Sequence, residues 1–476
     1  MKGLYYFLQV IEMTISIIVA FAAKGFGIGC SGNIPWHIPE DLARFRKLTE
    51  GGVVVMGRGT WDSIPAERRP LKGRLNVVVT NDPSKYEEGR DGDNVVFTTM
   101  KGVDDIIKGK EKVFIIGGEA LYKMYVGFAD NIYATVVEGE YACDRFFPIE
   151  QFALYQIEDY SPVQRSQDGI TYRYITYKYV DEKDRVYSDT EHSYRMNMYN
   201  ILDYGKKRDD RTGVGTIAFF GLQFRFDISK NIPLLTTKFV GFNTVLKELL
   251  FFLQGKTDSK ELENQGVGIW KANTTREFLD GRGLTGYREG DMGPMYGFNW
   301  RHFGAEYKGC DVAVEGGYDQ LEALIDGLKK DPYSRRHMIT TFNPATVSQS
   351  VLAPCHGIVA QFYVEDGGLS CQVYCRSSDS FLGLPFNIAS YAIMTYIIAK
   401  KVGLKPAELI LVSGDCHIYK NHIEQVKTQL ERKPLPFPVL RIDDSVADKS
   451  FDDICLEDFE LVGYLHHPAI KAPMAV

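Results

Sequence analysis

At 476 residues the chain exceeds the size, roughly 250–300 residues, at which a single hydrophobic core stops growing, so two or more domains are expected. Its 45% hydrophobic and 25% charged residues describe a folded globular protein and exclude a disordered or fibrous one. A formal net charge of −7 argues against a dominant nucleic-acid or polybasic membrane role, while leaving room for a local basic pocket that takes a small anion.

Residues 1–13 form an N-terminal extension. Lys2 with the run Leu4-Tyr5-Tyr6-Phe7-Leu8 has features of a signal peptide, but Gln9 and Glu12 interrupt it. The apolar stretch 15–22 leads straight into a glycine-rich loop, as a buried first strand does. No stretch reaches the roughly 20 apolar residues that span a bilayer. The eight cysteines show no CxxC pair, which suits reduced thiols, a cytoplasmic location and no metal site.

From 14 to 180, short apolar strands alternate with helical patterns, the signature of an α/β domain. The expected strands are 15–20, 53–56, 76–80, 95–98, 113–116, 131–137 and 171–179, with helices beginning near Pro39, Gly102 and Glu119. A charged segment, 181–190, has the composition of a short linker. From 191 to 476 the pattern becomes α+β: longer helices at 193–204, 239–254, 318–330, 386–402 and 418–431, with alternating strands at 357–364 and 369–375.

In the helix that opens at Pro39, Ile38, Asp41, Leu42, Phe45 and Leu48 share one face, while Glu40, Arg44 and Lys47 point elsewhere. Asp41 therefore sits on an apolar stripe, where an ionised carboxylate is expensive unless paired. The plain alternative is a first-turn carboxylate serving the helix dipole. Two glycine loops add weight to the chemical reading. Gly25-Phe26-Gly27-Ile28-Gly29 follows the first strand, and Gly117-Gly118 follows Lys112–Ile116 at a helix start, where backbone N–H groups can approach a pyrophosphate. Met56-Gly57-Arg58-Gly59-Thr60-Trp61 places a cation and a hydroxyl just after a strand, which suits a terminal phosphate.

Taken together, IPWHIPEDL, MGRGTWDSIP, LKGRLNVVVT, FIIGGEALY and the later Thr135 resemble the dihydrofolate reductase family over nearly all of 14–180. The resemblance implies a mixed sheet flanked by helices and NADPH-dependent reduction of dihydrofolate to tetrahydrofolate. It assigns Asp41 to the pterin ring and its protonation, linked to Thr135, with Ile18, Phe45, Ile64 and Ile116 lining the folate pocket. Arg74 would clamp the substrate's glutamate carboxylate, a task suited to a bidentate guanidinium. NADPH would be held by Ala20, Gly27, Ile28, Gly29, Cys30, Ser31, Gly32, Asn33, Arg58, Gly59, Thr60, Thr80, Asn81, Gly117, Gly118, Glu119, Ala120, Leu121 and Tyr122. Trp36 would close over the site from a mobile loop. Gly59 stands where the family commonly has a second basic residue, and Glu119 sits where it would repel a pyrophosphate.

The second half carries a different chemistry. Cys355 lies between Pro354 and His356, and a thiol attacks only as the thiolate, which nearby cations favour. Arg211, the pair Arg335-Arg336 and Arg376 supply such cations if they converge. The other cysteines, Cys30, Cys143, Cys310, Cys371, Cys416 and Cys455, are read as inert. Glu248, inside Val245-Leu246-Lys247-Glu248-Leu249-Leu250-Phe251-Phe252, is surrounded by apolar side chains. Such a carboxyl is either protonated more readily than usual, held by a polar network, or ion-paired.

DDRTGVGT, LLTTKF, KELLFFLQG, GPMYGFNWRHFGAEY, PYSRRH, APCH, FLGLPFNIASY, GDCHIY and the terminal IKAPMAV are similar to thymidylate synthase from 191 to the end. The resemblance implies methylation of dUMP to dTMP with 5,10-methylenetetrahydrofolate as co-substrate. Cys355 would attack the uracil ring, and Glu248, Tyr296 and His356 would organise proton transfers. dUMP would be bound by Arg211, His356, Cys375, Arg376, Ser377, Ser378, Asp379, Asn387, His417, Ile418 and Tyr419, with Arg335 and Arg336 reaching in from the neighbouring subunit of a homodimer built through the synthase domains. Trp270, Asp379, Leu382, Phe386 and the C-terminal segment would cover the folate. Cys375 replaces a near-universal glutamine of the family and reads as a tolerated packing change, although a second thiol near Cys355 would allow a disulfide under oxidation.

The combined expectation is a two-activity enzyme in which the first half regenerates the folate that the second consumes. The alternative is an active synthase with a non-catalytic reductase-like scaffold. Its partners would be small molecules, with no nucleic acid and no membrane.

Overall fold

The computed structural model describes residues 13–86, 94–180, 191–210 and 212–474. The expected linker, Arg211 and all of the extension but Met13 lie outside these residues. The chain divides into two compact units, Met1–Arg185 and Val186–Val476.

In the first unit a nine-stranded sheet runs in the order Gln164–Arg165, Thr171–Tyr179, Asn131–Val137, Thr14–Ala22, Lys112–Gly117, Val53–Gly57, Leu75–Val79, Val95–Thr98, with Tyr155–Tyr160 also paired to Thr171–Tyr179. From Asn131–Val137 to Val95–Thr98 neighbouring strands are parallel, and Thr171–Tyr179 is antiparallel. The sheet is therefore mixed, as expected. Parallel strands covered on both faces need apolar residues at every position. Val53, Val54, Val55 and Met56 are accordingly all buried. Tyr155–Tyr160 was not expected, because Glu158 and Asp159 break its apolar run at the exposed end of an edge strand.

In the second unit a six-stranded sheet runs Lys206–Arg208, Thr216–Asp227, Lys405–Tyr419, Gly368–Asp379, Val359–Glu365, Met338–Ile339. Helix Gly383–Val402 packs on its two central strands and on helix Phe242–Leu253. The expected helix 418–431 is corrected: Ile418 and Tyr419 end the fifteen-residue strand Lys405–Tyr419, and the helix begins at Ile423. Pro406 and Gly414 disguise that strand. Pro406 stands near its start, and a Cβ on Gly414 would come within 2.9 Å of the Arg376 carbonyl oxygen on the neighbouring strand. Strand Thr216–Asp227 also escaped the expectation, although Leu222, Phe224 and Phe226 alternate inward along it.

Two candidate active sites

The parallel strands Thr14–Ala22, Val53–Gly57, Leu75–Val79 and Lys112–Gly117 end on one side of the first sheet. Ala20, Arg58, Thr80 and Gly117 therefore gather along the carboxyl edge, where ligands of open α/β sheets bind. The loop 27–33 is pinned there. Cys30 N–H donates to the Asn33 carbonyl at 2.8 Å, Ser31 N–H donates to Asp144 Oδ2 at 3.0 Å, and Ser31 and Gly32 take positive φ of 49° and 81°. Gly117 has φ 126°, and a Cβ there would meet Thr60 Oγ1 at 3.1 Å and the Tyr122 hydroxyl at 3.3 Å. Only glycine leaves that cradle open. The Tyr122 hydroxyl also donates to the Ile18 carbonyl at 2.9 Å, tying the cradle to the central strand. Ala120 and Leu121 lie beside Tyr122 in helix Glu119–Tyr125.

Arg58 pairs with Asp62 at 2.9 Å on the solvent side of helix Arg58–Ser63. Such an exposed i,i+4 pair is worth about 0.3–0.5 kcal/mol, so a phosphate can displace it. A Cβ on Gly59 meets nothing within 4 Å. Glu119 is ion-paired to Lys123 at 2.7 Å, which offsets the repulsion expected of it. Asn81 follows Thr80, whose N–H donates to the Thr98 carbonyl at 2.9 Å.

Asp41 stands in the first turn of helix Pro39–Thr49, and its Oδ1 accepts from Thr135 Oγ1 at 2.5 Å. Burial pushes its carboxyl above the ordinary range, opposed by the Thr135 hydrogen bond and the Arg44 charge. Ile18, Ile64 and Ile116 converge on the buried cluster Val54, Met56, Val78, Phe114. Arg74 is buried, donating to Thr49 Oγ1 and to the Lys72 carbonyl at 3.0 Å each, with Phe45 beside its guanidinium.

Two expectations need correction. Leu42 is 48% exposed, so the apolar stripe is not buried along its whole length. Arg44 does not point away: it stacks 4.3 Å from the Tyr174 ring centroid and bears on Asp41. Its i+3 spacing from Asp41 was the available signal. Trp36 lies in the loop before helix Pro39–Thr49 and is buried there, edge-on to Tyr141 at 5.0 Å and packed with Ala22, Ile38, Val137 and Tyr172.

In the second unit Cys355 lies in the loop before strand Val359–Glu365. The Tyr296 hydroxyl is 3.5 Å from its Sγ and accepts its backbone N–H at 3.2 Å. Tyr296 holds φ 37°, strain of the kind that collects where a side chain must be aimed. Its ring stacks on His356 at 4.4 Å, and His356 Nδ1 lies 3.3 Å from the Tyr391 hydroxyl. Tyr391, one turn past Asn387 on helix Gly383–Val402, was missed because a tyrosine in a buried apolar helix reads as packing. Burial pushes His356 down to about 4, so its imidazole is neutral at physiological pH.

Burial also pushes the Cys355 thiol up, opposed by the Tyr296 hydrogen bond and the Arg376 charge. Arg376 is held beside it by donating to the Pro354 carbonyl at 2.8 Å and the Ala353 carbonyl at 2.9 Å. Arg335 and Arg336 do not converge on Cys355 within one chain. They are exposed, just before the edge strand Met338–Ile339, and form no ion pair with a described residue. Glu248 accepts from Trp270 Nε1 at 2.8 Å, and burial pushes its carboxyl up to about 7. Of the three open readings for it, the first two hold together, and no ion pair forms among the described residues.

Parallel pairing sets Ser377 opposite Asp415, Ser378 opposite Cys416 and Asp379 opposite His417. His417 Nδ1 lies 2.9 Å from Asp415, which also takes Arg208 at 2.7 Å, while Tyr419 packs edge-on to His417. Asp379 Oδ1 accepts the N–H groups of Phe381 at 3.0 Å and Leu382 at 3.2 Å, shaping the turn into helix Gly383–Val402, whose first turn carries Phe386. Cys375 is wholly buried, and burial pushes its thiol far up. It packs within the core cluster of this unit, where a packing change would stand.

The geometry defines a chain in which a carboxylate site at a parallel sheet edge precedes a thiol site walled by buried tyrosines and by a half-buried histidine and glutamate. Residues 14–179 match the dihydrofolate reductase family and 192–476 the thymidylate synthase family. A bifunctional dihydrofolate reductase-thymidylate synthase of Paramecium tetraurelia is 41% identical over 97% of this chain and 99% of its own. Namesakes from Zea mays and Leishmania major are each 38% identical, over 96% and 97% of this chain and 96% and 95% of theirs. The chain belongs to the bifunctional dihydrofolate reductase–thymidylate synthase family. It is an enzyme with both activities, which leaves the scaffold alternative without support.

Proposed function

We propose that the first unit reduces dihydrofolate with NADPH at Asp41, and that the second methylates dUMP at Cys355 using 5,10-methylenetetrahydrofolate. The observation that carries the reading is the pairing of two perturbed carboxyls with two different partners: Asp41 with Thr135, and Glu248 with Trp270. NADPH supplies the hydride. The Gly117-Gly118 cradle fits its pyrophosphate, and Arg58 with Thr60 fits the further phosphate. Asp41, raised by burial, holds the pterin ring and carries the proton that reduction requires.

In the synthase, the Cys355 thiolate adds to carbon 6 of the uracil ring and makes carbon 5 nucleophilic. Arg376 and the dUMP phosphate neutralise one another beside the thiol. Asn387 reads the base, and His417 and Tyr419 take the ribose. Glu248, near 7, exchanges protons at physiological pH, whereas neutral His356 orients Tyr296 by stacking and does not donate as an imidazolium.

The synthase works as a homodimer in the cytoplasm. The exposed cations of Arg335 and Arg336 at the sheet edge, without an ion pair among the described residues, and the exposed Tyr363 and Tyr374 on its outer face support that assembly. Among the described residues no helix is long and apolar enough to cross a membrane. Asp41→Asn and Cys355→Ala test the two sites in the full chain. Each variant is expected to lose at least about 100-fold in its own activity and retain the other. Loss of both activities in either variant would overturn the assignment of separate sites.

A further inference from the structure

His422 belongs to neither set of residues. It sits in the turn Lys420–His422 between strand Lys405–Tyr419 and helix Ile423–Glu431, and it is wholly buried. Its Nε2 lies 2.7 Å from the carbonyl oxygen of Pro473 in the C-terminal segment, so that nitrogen carries the proton and donates. Its Nδ1 is buried, makes no hydrogen bond with a described residue, and faces Asp379 Oδ1 at 4.0 Å. Phe381 and Tyr419 flank the ring, with centroids 5.6 and 5.5 Å away.

A buried polar atom without a partner is costly, and an apolar side chain would fill this space without that penalty. What the imidazole adds is a connection. One nitrogen grips the last described stretch of the chain. The other side of the ring abuts the turn in which Asp379 fixes the Phe381 and Leu382 amides.

We propose that His422 is a positioning residue of the synthase, docking the C-terminal segment onto the Asp379–Leu382 turn so that both border the folate together. This rests on the reading above that Asp379, Leu382 and the C-terminal segment face methylenetetrahydrofolate. His422 touches no substrate in this scheme. It acts through Pro473 and through the turn.

The test compares His422→Leu, which fills the space without a donor, with His422→Gln, whose amide can still reach the Pro473 carbonyl. Both are made in the full chain and again with residues 473–476 deleted. Measured are KM for methylenetetrahydrofolate, kcat, dUMP affinity, and the rate at which carboxypeptidase trims the chain. His422→Leu is expected to raise the folate KM about ten-fold and speed trimming, with dUMP affinity within about two-fold of the parent. His422→Gln is expected to recover most of the loss. In the truncated chain the substitutions should have no further effect on KM, because the two changes break one connection. If His422→Leu does not fold, His422→Met, which also lacks the donor, reports the same coupling in the full and truncated chains. Unchanged trimming, or additive effects in the truncated chain, overturns the proposal. Altered trimming with a folate KM unmoved by both substitution and truncation overturns the folate reading, and the proposal with it.

Discussion

Two carboxyls with similar burial have different neighbours, and their pH behaviour separates accordingly. Glu248 ordinarily titrates near 4.5 and is pushed up to about 7 by desolvation, with only the Trp270 hydrogen bond opposing. A raised folded-state value means that stabilisation is fully present below the unfolded value and is lost as pH rises through about 7. Glu248→Gln keeps an acceptor for Trp270 Nε1 and cannot ionise. Its thermal midpoint should gain on the parent by roughly 5 °C between pH 5 and pH 9, while synthase kcat falls about 100-fold. A constant difference in midpoint across that range would contradict the assignment. Asp41 is also raised by burial, but the Thr135 hydroxyl and Arg44 pull it back. If reduction needs the protonated carboxyl, its rate falls as pH rises through the Asp41 value. Thr135→Val removes a bond that favours the carboxylate, so the falling limb of the reductase kcat/KM profile should move up by as much as about one pH unit. A limb that stays put or moves down would show that the hydrogen bond does not set this titration.

Among elements, the short helix Gly297–Arg301 shows how tightly the thiol site is built from behind. It follows strained Tyr296, and a Cβ on Gly297 would lie 2.8 Å from the Phe252 Cα and against its carbonyl. Gly297→Ala must therefore push this helix off helix Phe242–Leu253, which carries Glu248. The expected cost is about 2–3 kcal/mol in urea unfolding of the synthase unit, with kcat lowered more than dUMP affinity. Wild-type stability in that variant would mean the two helices separate freely. Most strands of the first unit were legible because unbroken valine and isoleucine runs mark buried parallel strands. Lys405–Tyr419 was not, since the features that make it fit its neighbours, a proline near the start and a glycine at a close approach, are the same ones that read as breaks.

For the whole molecule, the decisive arrangement is the separation of cations. Arg376 sits at the thiol, whereas Arg335 and Arg336 are exposed just before the edge strand Met338–Ile339 of the same sheet. If each protomer lends these two to its partner, mixing Cys355→Ala with Arg336→Ala subunits creates heterodimers with one intact site. Reassociation at equal amounts should restore roughly one quarter of parental synthase activity from two nearly inactive preparations. Recovery no greater than the sum of the separate preparations would place Arg336 in service of its own chain. The fusion itself is chemically economical: the synthase step releases dihydrofolate, and a tethered reductase meets it at raised effective concentration.

Sequence alone marked the two-part architecture and singled out Cys355, Asp41, Glu248 and the glycine loops as the candidate chemistry. These are local properties, written in periodicity and in short motifs. Tertiary structure decided what surrounds each titrating group. Asp41 meets Thr135 across 94 residues and Cys355 meets Tyr296 across 59, and those contacts oppose the upward shift that burial imposes on each. It also decided that Trp36 packs inside and that Arg44 turns toward Asp41. Charge and solvation act through space, so no pattern along the chain carries them.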